Sequence, residues 1–339
     1  MRILAIETSC DETAMALVEA SGGLNAPRFK VLKNIISSQI EIHRPFGGVV
    51  PNLAKREHIR NLPIIFKKLK PTTYNLKPDL IAVTVGPGLE PALWTGVNFA
   101  KEIRKSNFPK ANLVGANHLE GHLYSFLLSK KYDSKPKNIF PAISLVVSGG
   151  HTILVMMKSL TNWRKLGETR DDAVGETFDK VARMLNFPYP GGPEIEKLAK
   201  KGNPNAVDFP RPMINQKNYD FSFSGLKTSV LYYLRDNPKT KKADVAASFQ
   251  KAAIDTLVAK TLLAAKEYKA KSIMLSGGVA ANKALRKSLK AESYKLKANF
   301  LVAPLKFNTD NAVMIAVASY IQHLQKKNRA IRAQANLNL

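Results

Sequence analysis

Cysteine is all but missing: Cys10 is the only one in 339 residues. That excludes an intrachain disulfide framework and a cysteine-based zinc site. Long apolar runs are missing as well, none approaching the ~18–20 residues a helix needs to span a bilayer. The opening Met1-Arg2-Ile3-Leu4-Ala5-Ile6 runs straight into Glu7 and Asp11, leaving no apolar signal-peptide region. The expectation is a soluble cytoplasmic protein without a membrane partner. Acidic residues are scarce, 26 Asp and Glu against 52 Lys and Arg, for a net charge of +26. Such an excess suits a polyanionic partner, because phosphate binding releases counterions. The lysines are nevertheless scattered as Lys67-Lys68, Lys130-Lys131, Lys200-Lys201, Lys241-Lys242 and Lys326-Lys327, as a lysine-rich genome would also produce.

What is present reads as a globular chain, 45% hydrophobic and 23% charged, long enough for about two domains at roughly 100–200 residues each. Residues 2–18 give an apolar strand, a polar turn and a second apolar strand. Residues 143–157 repeat the plan around Ser148-Gly149-Gly150-His151-Thr152. Each half later supplies a buried strand, a glycine turn and a helix. The first is Leu80–Val85, Gly86-Pro87-Gly88 and a helix through Ala100. The second is Ser272–Leu275, Ser276-Gly277-Gly278 and a helix over Val279–Leu289. Matching order in two halves predicts a duplicated α/β fold with the ligand between the halves. Strand–glycine turn–helix units aim backbone N–H groups at a phosphate. Further helices are expected over Asp244–Lys269 and Asn311–Gln325, and long loops over Phe187–Pro193 and Asn203–Pro212.

His118-Leu119-Glu120-Gly121-His122 places two imidazoles four residues apart, on one face of a helix, in a chain with only six histidines. The metalloprotease pattern H-E-x-x-H is absent, because Leu119 stands where its glutamate would be. Two ordinary, partly exposed histidines would give the same spacing. Asp310, at a loop-to-helix junction, is the best third ligand, although Thr309 or Asp310 would equally serve as a helix N-cap. Two histidines and one carboxylate with open positions suit Fe(II), with Zn(II) as the alternative. Asp172, Glu176 and Asp179 would share a helix face, as a hydroxyl-binding or simply a solvated acidic surface. Asn282 is placed to reach a purine or ribose. Cys10 lacks a partner base and is a poor nucleophile candidate, and His151 is as well suited to structure as to catalysis.

Taken together, several motifs resemble the TsaD (Gcp/YgjD) family. They are Ile6-Glu7-Thr8-Ser9-Cys10-Asp11-Glu12-Thr13, Gly47-Gly48-Val49-Val50-Pro51, Gly86-Pro87-Gly88, His118–His122, Val147–Thr152, Gly175–Lys180, Tyr189–Pro193, Phe221–Thr228, Ser276–Asn282 and Thr309–Ala312. They run in family order from residue 3 to about residue 320. The resemblance implies an α/β fold of two actin-like, sugar-kinase-like (ribonuclease H-like) domains with a ligand cleft between them. Residues 1–140 would form the first, joined by a C-terminal helix 321–339, and residues 141–320 the second, with a helical insertion. It also implies a tRNA N6-adenosine threonylcarbamoyltransferase, moving the threonylcarbamoyl group from threonylcarbamoyl-AMP to the adenosine 3′ of the anticodon in tRNAs reading codons that start with A. By motif match His118, His122 and Asp310 would hold one divalent metal, Fe(2+) or Zn(2+). Val146, Val147, Ser148, Gly149 and Gly150 would line the adenylate. Asp179, Gly192 and Asn282 would hold the nucleoside, with Glu196 near the ribose. Asp11 or Glu12 would help orient the amine, and no residue stands out as general base. A TsaB-like paralogue and a TsaE-like ATPase are the implied protein partners.

Three other readings compete. A metal-dependent peptidase needs a water-activating glutamate that this spacing lacks. A sugar or acetate kinase leaves the two histidines unexplained. A degenerate scaffold would have lost His118, His122 or Asp310, and all three are present.

Overall fold

The computed structural model describes residues 1–129 and 138–339, without the side chains of residues 70–76; the Lys130-Lys131 doublet lies outside the described residues. The chain forms two compact units, Met1–Pro136 with Ala303–Leu339, and Lys137–Val302.

The first unit carries β1 (Arg2–Glu7), β2 (Glu12–Ser21), β3 (Arg28–Ser38), α1 (Ile40–His43), α2 (Pro51–Leu76), β4 (Leu80–Gly86), α3 (Glu90–Ser106), β5 (Asn112–Asn117) and α4 (His118–Tyr124). Its sheet has the order β3-β2-β1-β4-β5, with β1–β2 and β2–β3 antiparallel and β1–β4 and β4–β5 parallel. Strand β1 is apolar at consecutive positions because both its faces are covered. Ile3 and Ala5 pack in one cluster with Val313, Met314 and Ile315, while Leu4 and Ile6 pack in another with Leu62, Ile65 and Val97.

The second unit carries β6 (Ala142–Val147), β7 (Thr152–Met157), β8 (Trp163–Glu168), α5 (Val174–Met184), α6 (Gly191–Ala199), α7 (Ser224–Asp236), α8 (Lys242–Glu267), β9 (Ser272–Ser276), α9 (Lys283–Lys295) and β10 (Asn299–Val302). Its sheet order, β10-β9-β6-β7-β8, is that of the first unit read from the other edge. The antiparallel pairs β6–β7 and β7–β8 and the parallel pairs β6–β9 and β9–β10 match as well. The duplication visible in the two hairpins is therefore a duplication of the whole sheet.

Helix α10 (Ala312–Leu324) returns the chain to the first unit. Every residue from Ala312 to Gln322 is buried, as an apolar run on all sides requires. Its packing against β1 and β2 places residues 303–320 in the first unit rather than the second, where the sequence alone had put them. The helix also ends at Leu324, and 325–339 is an irregular segment instead of a helix. It lies along β4 and β5, with Gln334 N–H donating to the Val85 carbonyl (2.7 Å) and Gly115 N–H to that of Arg329 (3.3 Å). Two further boundaries differ from the sequence reading. Gly191–Pro193 open α6 instead of ending a loop, and the segment after Gly277 starts as a short 3-10 turn, Gly278–Ala281, before α9.

Gly277 shows why a glycine stands in that turn. Its φ is +89°, and a Cβ there would run into the backbone of Val147, at the end of β6. Gly277→Ala is therefore expected to cost about 1–3 kcal/mol and to lower the melting temperature in a calorimetric scan; an unchanged melting temperature would contradict this packing.

Candidate active site

The first unit brings together the three residues expected to bind metal. Asn117, at the end of β5, caps α4: its Oδ1 accepts from the N–H groups of Leu119 (2.7 Å) and Glu120 (3.2 Å). The first turn of α4 thus begins at His118, and His122 follows one turn later on the same face. Gly121, between them, lies where α4 meets α10; a Cβ there would come within 3.0 Å of Met314 Cγ. That close approach matters because Asp310 sits just ahead of α10. The helix is capped by Asn311, whose Oδ1 accepts from Met314 N–H at 3.1 Å, so neither Thr309 nor Asp310 serves as the cap. Asp310 Oδ1 faces both imidazoles, 3.1 Å from His122 Nε2 and 3.5 Å from His118 Nε2. The ligand atoms of the three residues lie within 4.8 Å of one another and could hold a metal ion.

The shell behind His118 fits that use. Its Nδ1 lies 3.1 Å from Glu7 Oε2 and 3.0 Å from Ser9 Oγ, leaving Nε2 toward Asp310. A carboxylate behind a histidine fixes the ring and raises its basicity as a metal ligand. Glu7 is fully buried, with Oε1 accepting from Ser9 N–H (2.6 Å) and Oε2 from Thr84 Oγ (2.6 Å). Burial alone would raise the Glu7 pKa, but the charge and hydrogen bond of His118, with help from Ser9, hold it below the ordinary carboxylate value. Burial would likewise depress His118, but Asp310 and then Glu7 outweigh it and lift His118 to about 9. His122 differs: its Nδ1 is buried with no hydrogen-bond partner among the described residues, so packing and the Nε2 contact with Asp310 orient that ring.

Glu7, Ser9 and Asn117 were not singled out from the sequence. The one available signal was a glutamate ending an otherwise apolar central strand. The neighbouring turn is strongly acidic in character. Glu12 is pushed well above its usual value by burial, then by Asp11 and Asp310. Burial and Asp11 also push the Cys10 thiol up, which keeps it from acting as a thiolate at neutral pH.

In the second unit the remaining predicted residues form one contiguous set. Val146 and Val147 end β6, and the turn after them closes through Ser148 N–H to the His151 carbonyl (2.8 Å) and His151 N–H to Ser148 Oγ (3.2 Å). Gly149 and Gly150 are exposed, and a Cβ on either would meet nothing within 4 Å. Gly175 brings α5 against this turn, where a Cβ would lie 2.5 Å from the Ser148 carbonyl oxygen. Asp179, on α5, accepts from Gly191 N–H (2.7 Å) at the start of α6, next to the open Gly192. Glu196, on α6, accepts from Lys283 N–H (3.3 Å), and Asn282 caps α9 through Leu285 N–H (3.0 Å) while donating to Gln250 Oε1 (2.8 Å). Part of each polar group is therefore committed to holding helix starts around the glycine turns.

The acidic cluster resolves differently from the expected helix face. Asp172 precedes α5, so it does not share a helical stripe with Glu176 and Asp179. It pairs with Lys180 (3.0 Å) and Lys227 (2.5 Å), while Asp171 accepts from Ser222 Oγ (2.5 Å) and from the N–H groups of Phe223 (2.8 Å) and Ser224 (3.2 Å) at the start of α7. These contacts give the Phe221–Thr228 motif its place: it docks α7 onto the segment leading into α5.

The raised His118 value predicts how metal uptake responds to pH. A group whose folded-state pKa is raised holds its proton below that value, so the proton competes with a metal for Nε2 until pH passes about 9. Binding at pH 7.5 should release about one proton, seen by calorimetry in buffers of different ionisation enthalpy. Affinity should rise about tenfold per pH unit toward pH 9. By the same sign, the stability His118 gives the metal-free protein is complete below its ordinary value of 6.5 and lost as pH climbs through about 9. Proton-neutral binding at pH 7.5 would contradict the assignment.

Comparison with known proteins identifies the family. A protein from Thermosipho melanesiensis named tRNA N6-adenosine threonylcarbamoyltransferase is 48% identical over 342 residues, covering 100% of both chains. One of the same name from Moorella thermoacetica is 49% identical over 330 residues, 96% of this chain and 92% of its own. Among solved structures, full-length HypF in its phosphate- and nucleotide-bound form superposes with a TM-score of 0.61 at 13% identity, over 98% of this chain and 47% of that one. At that identity the likeness concerns the duplicated actin-like fold alone. The family model for TsaD, tRNA N6-adenosine threonylcarbamoyltransferase, matches residues 30–317. With its paired five-stranded sheets and its His118–His122–Asp310 group, the chain belongs to the TsaD family.

Proposed function

We propose that this protein transfers the threonylcarbamoyl group from threonylcarbamoyl-AMP to the N6 amine of the adenosine 3′ of the anticodon, in tRNAs that read codons starting with A. The observation that carries this reading is the convergence of His118 and His122 on Asp310, backed by Glu7, in a chain of this family. The second unit's part is to bind the adenylate. The backbone N–H groups of Gly149 and Gly150 receive the phosphate, where the absence of side chains on both residues lets it approach. Asp179, Gly192, Glu196 and Asn282 hold the nucleoside.

In the transfer the amine nitrogen bonds to the carbamoyl carbon, the bond from that carbon to the phosphate oxygen breaks, and AMP leaves with the electron pair. The amine gives up one proton, which ends in solvent. Asp11 or Glu12 helps orient the incoming amine. Two histidines and a carboxylate suit Fe(2+), with Zn(2+) the alternative, and such an ion supplies Lewis acidity for the charge that builds on the departing phosphate. A TsaB-like paralogue and a TsaE-like ATPase act with the protein, and its place is the cytoplasm. No helix of the described residues is long and apolar enough to cross a membrane.

The test combines purified protein, synthetic threonylcarbamoyl-AMP and unmodified tRNA, with and without the two partners, read by nucleoside mass spectrometry. Modified adenosine is expected with the wild type, reduced at least about 100-fold in a His118→Ala/His122→Ala variant. No product under any condition would sink the transferase reading, and full activity in the variant would remove the metal from it. The net charge of +26 adds an expectation for binding. Affinity for tRNA should fall at least about tenfold as salt rises from about 50 to about 200 mM, and a flat salt dependence in filter binding would contradict a phosphate-dominated contact.

A further inference from the structure

Beside the metal group, the irregular segment after α10 makes a set of contacts that the transferase reading does not use. Arg329 forms a two-pronged ion pair with Glu120, Nη2 to Oε1 at 2.9 Å and Nη1 to Oε2 at 3.2 Å, and Nη1 also donates to Gln322 Oε1 at 3.2 Å. Glu120 lies on α4 between the two histidines, and Gln322 lies on α10, the helix that follows Asp310. One guanidinium thus joins α4, which carries both histidines, to α10, the helix that Asp310 precedes. Farther along, the carbonyl of Asn338 accepts from Asn117 Nδ2 at 2.9 Å, while Oδ1 of the same amide caps α4. Between these points the Ala335 carbonyl accepts from Gly88 N–H at 3.1 Å. Gly88 packs so closely on Ser9, the hydroxyl partner of His118, that a Cβ there would sit 2.6 Å from the Ser9 carbonyl oxygen.

The backbone beneath is shaped for this segment. A Cβ on Gly115 would lie 2.6 Å from the Ala330 carbonyl oxygen, and one on Gly86 would overlap that of Gln334. Ile331 and Leu337 pack against the apolar cluster of β4 and α3. A segment that only covered the edge of β5 would need the backbone bonds and these two apolar anchors. It would not need a bidentate arginine on the metal-bearing helix, nor a tie to that helix's own cap.

We propose that residues 329–338 form a positioning strap for the metal site, with Arg329 and the Asn117–Asn338 tie fixing α4 so that His118 and His122 stay aimed at Asp310. The inference rests on the metal-site part of the transferase reading. Arg329 and Asn117 are positioning residues and do not themselves touch the ion.

The test uses the full chain and Co(2+) as the probe, with affinity read by titration of its visible absorption bands and folding checked by circular dichroism. Arg329→Ala cuts the bridge between α4 and α10. Asn117→Asp keeps the acceptor that caps α4 and loses only the donor to Asn338, so it carries the test if the arginine variant fails to fold. Both substitutions make the surroundings more negative, and charge alone would tighten binding of a cation. Weaker Co(2+) binding, about tenfold or more, with altered absorption bands in either folded variant therefore supports the strap. Binding as tight as wild type or tighter in both overturns it. A wild type that takes up no Co(2+) overturns the metal reading beneath it.

Discussion

A carboxylate buried at the end of a central strand must find donors or lose its charge, and Glu7 finds them in Thr84, Ser9 and His118. Much of the first unit's site follows from that requirement. Thr84 belongs to the neighbouring strand β4, so Glu7 is held across the sheet. Ser9 lies in the turn that leaves β1, and Leu89 N–H donates to its carbonyl at 2.8 Å from the start of α3. His118 is the first residue of α4, where the Asn117 cap puts it. A strand, a turn and a helix start thus converge on one carboxylate, and the imidazole that completes the set is oriented with Nε2 toward Asp310. The electrostatics are reciprocal: His118 keeps Glu7 ionised despite burial, and Glu7 with Asp310 raises the basicity of His118.

Close backbone approach does comparable work elsewhere. Gly121 lets α4 reach α10, Gly175 lets α5 reach the Ser148 turn, and Gly277 lets the β9 turn reach the end of β6. In each case a glycine sits where one element carrying a candidate site residue meets another. The two units use this device at different places in a duplicated sheet order, and with different chemical results. The first unit ends with imidazoles and carboxylates, and the second with open glycine turns and capped helix starts.

Much of this was legible in the sequence. The paired hairpins announced the duplicated sheets, because a central strand buried on both faces must be apolar at consecutive positions. The His118–His122 spacing announced a shared helix face. Asp310 was harder, since a carboxylate before a helix is indistinguishable from a cap until Asn311 is seen to do the capping. Asp172 was misplaced for a similar reason: helical spacing holds only inside a helix, and α5 begins two residues later. The assignment of 303–320 and the expected helix 321–339 failed because both turn on tertiary contact. Whether an apolar helix serves one sheet or another, and whether the segment after it is helical or irregular, depends on partners distant in the chain. Glu7 stayed hidden because its one local signal, a glutamate ending an apolar strand, does not show which donors meet it.

The proposed transfer depends on His118, His122 and Asp310 being able to hold one ion, with Glu7 behind His118. The most direct measurement is diffraction from metal-loaded crystals at two wavelengths flanking the metal's absorption edge. An anomalous peak bonded to both Nε2 atoms and to an Asp310 oxygen, with Glu7 still on His118 Nδ1, is the predicted result. A peak elsewhere, or His118 bound through Nδ1 with Glu7 released, would contradict it.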